Sequence, residues 1–105
     1  MVVPRIHAPY FEDLPADLAG EVVALGQRIA KVQKRLYGVE RVGFMFTGGD
    51  VPHAHAHVVP MVEKTDVTSR QYIKERTLTF APIPSPDSSE LESVASEIRD
   101  MLRRF

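Results

Sequence analysis

The chain contains no cysteine, which excludes a disulfide framework, thiolate metal sites and a cysteine nucleophile. Long hydrophobic runs are missing as well. The apolar stretches are only a few residues long, far short of the roughly 20 that a bilayer-spanning helix needs. The opening Met-Val-Val-Pro-Arg-Ile-His is too poor in apolar residues to serve as a signal peptide. Neither sign of charge dominates: 13 Lys and Arg against 14 Asp and Glu leave a formal charge of −1. That balance supports neither a nucleic-acid polymer nor an anionic membrane as the main partner. What is present is a chain of 105 residues, 44% apolar and 26% charged. This is the composition of one soluble globular domain, expected in the cytoplasm.

Patterning along the chain predicts a strand, a helix, two strands, an irregular stretch and a second helix. Val2 to His7 is β-branched and interrupted by Pro4, and reads as a short strand with the proline either at a sheet edge or at the strand's end. From Pro15 to Leu36 the residues Leu18, Val22, Leu25, Ile29, Val32 and Leu36 recur at spacings of four and three, one stripe of a helix. Pro15 suits its first turn and Gly38 the position after its end. Arg41 to Thr47 and Pro52 to Met61 read as a hairpin-like pair of strands around Gly48-Gly49-Asp50. Residues 62–88 form an irregular connection, with a possible short strand at Thr77 to Phe80 and a proline-rich extended stretch at Ala81 to Asp87. Residues 89–105 form the second helix, opened by a Ser89–Glu92 capping box, with Leu91, Val94, Ile98, Met101 or Leu102, and Phe105 on its apolar face. The predicted class is α+β with an antiparallel sheet, in one domain over residues 1–105.

Three of the four histidines fall in five residues, His53-Ala54-His55-Ala56-His57. On a strand, alternation sends all three imidazoles to one face, about 6.6 Å apart, and the alanines to the other. The plainest interpretation is a solvated strand face. A zinc site is a second: two histidines at i and i+2 can share a metal, with His7 or Asp50 as a further ligand, but the outer pair of the row is too far apart to converge. Catalysis is a third. A central imidazole becomes a nucleophile when its other nitrogen is held by a hydrogen bond, and the backbone N–H groups of a glycine-rich turn cradle anions.

The run His53-Ala54-His55-Ala56-His57-Val58-Val59 resembles the signature of the histidine-triad (HIT) family of nucleotide hydrolases and transferases. Val2-Val3-Pro4-Arg5-Ile6-His7 is similar to that family's earlier strand, Asp13-Leu14-Pro15 to the entry of its long helix, and Val58-Val59-Pro60-Met61 to the segment after the triad. The likeness covers nearly all of residues 2–61 and is only general beyond them. It implies a HIT-like antiparallel sheet crossed by one long helix, a C-terminal helix and a homodimer. It also implies attack on an α-phosphate by His55, through a nucleotidyl-histidine intermediate that water hydrolyses. His53 and His57 match the flanking members that contact phosphate and orient the nucleophile, and His7 the additional supporting histidine. The implied substrates are dinucleoside polyphosphates or nucleoside phosphoramidates, with no metal or other cofactor.

Several positions depart from the family pattern. Gly48-Gly49-Asp50 stands where a Gly-Gln-Ser or Gly-Gln-Thr stretch binds the phosphates, so Gly48, Gly49 and Asp50 are the candidate phosphate-binding residues. A carboxylate at Asp50 repels phosphate unless it is protonated, turned away or paired; holding a histidine or capping the turn are its other expected roles. The customary asparagine is replaced by Phe44-Met45-Phe46. The family's strands preceding the Val2 segment, which shape the base pocket, have no counterpart in this sequence. Either the protein is a shortened member or the reading frame was started too late. Without those strands a sheet edge and apolar helix surface are expected to be exposed. A nucleotide-binding or interaction module without catalysis is the alternative these departures motivate.

Overall fold

The computed structural model describes residues 1–63, 66 and 85–104. Its order is a short 3-10 turn (Phe11–Asp13), helix α1 (Ala16–Tyr37), strand β1 (Arg41–Phe46), strand β2 (Ala56–Met61) and helix α2 (Ser88–Arg104). The class is α+β, with β1 and β2 antiparallel in the register Arg41↔Met61 to Phe46↔Ala56. The expected strand at Thr77 to Phe80, Phe105 and most of the proline-rich stretch fall outside the described residues.

Helix α1 begins after Pro15 and ends at Gly38, whose φ of 63° and ψ of 24° are left-handed. Only glycine adopts that conformation without a Cβ penalty, so the stop is built into the sequence. The expected stripe is largely in place: Val22 and Val32 are buried, and Leu18, Ile29 and Leu36 half-buried. Leu25 is the exception, exposed to 37%, and the buried position beside it is Gly26. The cause is a close approach: the Phe44 ring of β1 occupies the space that a Cβ at Gly26 would need. A glycine that costs about 1 kcal/mol of helix propensity thereby lets an aromatic ring seat against the helix backbone.

Two small apolar clusters anchor the layers. Val2, Val22, Ala56 and Val58 form one, with Ile29, Ala30, Val42 and Phe46 packed against it. Ala8, Leu14 and Ala54 form the other, beneath Leu18, Ala19 and Phe46. Both take in the small residues of the His-x-His run.

Three expected boundaries are corrected. The Val2–His7 segment is no strand but one antiparallel bridge, Val2 to Ala56, in which both backbone bonds measure 2.9 Å. Pro4 supplies no N–H for a further ladder bond, which confines pairing to Val2. Strand β1 ends at Phe46, before Thr47, and β2 starts at Ala56 rather than Pro52. Around Pro52 the chain makes a tight turn, His53 N–H donating to the Val51 carbonyl at 2.9 Å, and Ala54 N–H then donates to the Ala8 carbonyl at 2.7 Å instead of to β1.

Helix α2 starts one residue earlier than expected, and its cap is Asp87, not Ser89. The Asp87 Oδ1 accepts from the Glu90 N–H at 2.8 Å and from the Ser89 hydroxyl at 2.7 Å, while its carbonyl takes the Leu91 N–H. An aspartate three residues before the amide it accepts is the usual N-cap geometry. These bonds favour the ionised form: the backbone bond from Glu90, then the Ser89 hydroxyl, hold the Asp87 carboxyl below its ordinary 3.8. The helix lies on α1 through half-buried Val94, Ile98, Met101 and Leu102, and Arg28 donates to the Leu102 carbonyl at 3.2 Å. Leu91, expected on this face, is 57% exposed. Neither described helix is long and apolar enough to cross a membrane.

Candidate active site

Only His57 lies in a regular strand; His53 and His55 precede it. The alternation nevertheless holds, because the backbone stays extended against Val2 and Ala8 rather than against β1. Ala54, Ala56 and Val58 are buried, whereas His53, His55 and His57 are half-buried on the other face. The buried alanines fix the row: any rotation of the backbone that hid an imidazole would expose a core contact.

The four histidines form two ring pairs. His55 and His57 meet edge to face, centroids 4.9 Å apart at 71°. His7 and His53 are tilted against each other at 5.1 Å, with their Nδ1 atoms 2.9 Å apart. The hydrogen-bond partners then assign tautomers. His53 Nε2 faces the Pro4 carbonyl at 3.1 Å, an acceptor only, so Nε2 carries the proton. In the neutral ring Nδ1 of His53 is then the acceptor, and His7 donates to it. His55 Nδ1 faces the His53 carbonyl at 2.8 Å, so its proton is on Nδ1 and the lone pair on Nε2. His57 Nε2 has the Thr47 hydroxyl at 3.5 Å, a long contact at the edge of hydrogen-bonding range.

The glycine turn closes one end of the row. Gly48 has a φ of 61°, a left-handed conformation that suits glycine, and a Cβ there would press against the Tyr10 ring at 3.3 Å. Gly49 stands in open space. Asp50 is exposed and, among the described residues, has neither a hydrogen bond nor an ion pair. It holds no histidine and caps no turn, contrary to both structural roles expected of it. Among the described residues, no three His, Asp or Glu side chains are grouped to hold a metal ion, so neither His7 nor Asp50 completes the zinc set considered from sequence.

The structure therefore brings His7 and the three histidines of the run together, with Gly48 at the end of the row. Sequence patterns missed the carbonyl of Pro4, the carbonyl of Ala8 and the hydroxyl of Thr47. A carbonyl has no signature in a sequence, because every residue carries one. Thr47 had a weak one, as a polar residue where an apolar strand meets a glycine turn.

What such a row can do chemically follows from the tautomers. It offers a central imidazole, His55, whose Nε2 lone pair is without a partner among the described residues, a neighbouring imidazole able to exchange a proton, and backbone N–H groups nearby. The family model of the HIT domain matches residues 1–64, the stretch that contains all four histidines, α1 and the hairpin. The chain belongs to the HIT family.

Proposed function

We propose that this protein is a nucleotide hydrolase or transferase acting at the α-phosphate of a nucleoside phosphate, with residues 1–105 forming one HIT-like domain in the cytoplasm. The observation that carries the reading is the 2.8 Å contact of His55 Nδ1 with the His53 carbonyl. It leaves Nε2 as the nucleophilic atom of the central imidazole without any need for a separate base.

His55 Nε2 bonds to the α-phosphorus, and the bond from phosphorus to the leaving group breaks, the leaving atom keeping the electron pair. It takes a proton from His57 in its imidazolium form. Water then adds to the nucleotidyl-histidine, gives a proton back to His57, and the phosphorus–Nε2 bond breaks to release the nucleoside monophosphate. His53 holds His55 through its carbonyl, and His7 holds His53. Gly48 and Gly49 offer backbone N–H groups to the phosphate oxygens. Asp50, exposed and without a partner among the described residues, is turned toward solvent in this scheme or meets a cationic part of the substrate.

A homodimer fits the same reading. The outer edge of β1 is unpaired among the described residues, and an open edge is a pairing template.

The test is turnover of a nucleoside 5′-phosphoramidate and of a dinucleoside polyphosphate by the wild type and by His55→Ala. Release of the nucleoside monophosphate is expected from the wild type, with a loss of about a thousandfold or more in the variant. Equal turnover in the two proteins would sink the assignment.

A further inference from the structure

His55 borders two separate hollows. One, of about 290 Å³, has Met1, Val3, Val51 and His53 as its other walls. The second, of about 180 Å³, lies between the 3-10 turn and the glycine turn, and its walls include Tyr10, Phe11, Glu12, Thr47 and Gly48. A phosphorus at His55 Nε2 carries two arms, the nucleoside ester and the leaving group, and these diverge from it. Two hollows meeting at the nucleophile are what two diverging arms require.

The linings differ in chemistry. The larger hollow is walled by aliphatic side chains and fits a base, which needs apolar faces. The smaller one has a carboxylate. Glu12 is exposed and, among the described residues, makes no hydrogen bond or ion pair. Beside it stand Tyr10 and Phe11, each about half exposed, whose ring faces attract a cation. The walls are set in advance: Asp13 accepts the Tyr10 N–H at 3.1 Å, and Phe11 packs on Phe46 with centroids 4.9 Å apart. A polyphosphate leaving group would bring like charge against Glu12. An amine would not, and one bearing a second ammonium group would be drawn in.

We propose that the Tyr10–Phe11–Glu12 hollow is the leaving-group subsite and that it selects positively charged amines. The proposal rests on the α-phosphate reading given above and narrows its two substrate classes to one. Nucleoside phosphoramidates are preferred to dinucleoside polyphosphates, and cationic amines to neutral ones.

The experiment compares kcat/KM for two phosphoramidates of one nucleoside, an n-alkylamide and the same alkylamide ending in an ammonium group. The wild type is expected to favour the ammonium substrate, and Glu12→Gln to lower that ratio by about fivefold, the upper range for an exposed ion pair. Raising ionic strength should erode the wild-type ratio and leave that of the variant level, because only the former rests on a screened charge pair. A purely structural role for Glu12 would depress both substrates alike. A ratio unaltered by Glu12→Gln, or unaltered by salt in the wild type, overturns the subsite while turnover of both substrates upholds the function. Absence of turnover and of a nucleotidyl-histidine with either substrate overturns the function and the subsite with it.

Discussion

His7 and His53, 46 positions apart in the chain, share a 2.9 Å contact between their Nδ1 atoms. Because His53 Nε2 is committed to the Pro4 carbonyl, this contact has one direction, from His7 to His53. The chain of bonds runs on through the His53 carbonyl to His55. His7 is thus two steps removed from His55 Nε2.

His7→Ala is expected to lower kcat by about fivefold, the equivalent of one neutral hydrogen bond worth about 1 kcal/mol. Substrate KM should change little, since His7 orients a ring and does not touch the phosphate in this scheme. Steady-state kinetics on the phosphoramidate give the split. A loss as large as that of His55→Ala would mean that His7 takes part in the chemistry directly.

Gly26→Ala is expected to destabilise the protein even though alanine is the better helix former. Overpacking against the Phe44 ring costs about 1–3 kcal/mol, and helix propensity returns about 1 kcal/mol. In a Phe44→Leu background, where the ring is gone, the same substitution should turn stabilising. Urea unfolding of the four proteins reads the sign change, and the absence of one would show that Phe44 is not the obstacle.

The cap of α2 should respond to acid. The Asp87 carboxyl titrates below its ordinary 3.8 in the folded protein, chiefly through the Glu90 N–H and the Ser89 hydroxyl. A depressed folded pKa contributes stability that is fully present above the unfolded value and is lost as pH falls through the folded one. Protection of the amides in the first turn of α2, taken relative to the exchange rate of an unstructured chain at the same pH, is therefore expected to be level above about pH 5 and to fall below 3.8. Asp87→Ala should raise exchange there at neutral pH and remove the acid response, while Ser89→Ala should do less, since the Ser89 hydroxyl is the smaller contribution.

Much of this molecule was legible from the order of its residues. The α1 stripe, its stop at Gly38, the hairpin and the one-sided histidine row follow from periodicity, glycine conformation and alternation. Leu25 was misplaced because periodicity counts hydrophobicity and cannot see that a ring from β1 fills the place beside Gly26. The Ser89–Glu92 box was misplaced because aspartate and serine are nearly equal as caps, and Asp87 sits two residues earlier. The strand at Val2 to His7 failed for a different reason. β-branched residues favour extended backbone, but a ladder also needs N–H donors and a partner at every second position, and Pro4 interrupts both. Of the site, the four histidines were visible; the carbonyls of Pro4, Ala8 and His53 that orient or anchor them were not.

The bonds from residues 2–8 to residues 53–56 have a dynamic consequence. Val2, Pro4, His7 and Ala8 each hold a group in the His53–Ala56 stretch, of which β1 pairs only Ala56. His53 and His55 are thus basted to the 2–8 segment, whereas His57 is woven into the hairpin. A segment held by so few bonds opens at less cost than a helix or a paired strand, so loosening residues 2–8 would scatter His7, His53 and His55 while His57 kept its place in β2. The geometry of the row is then hostage to a handful of bonds from residues 2–8, and under the proposed function activity should fade on warming before the helices melt.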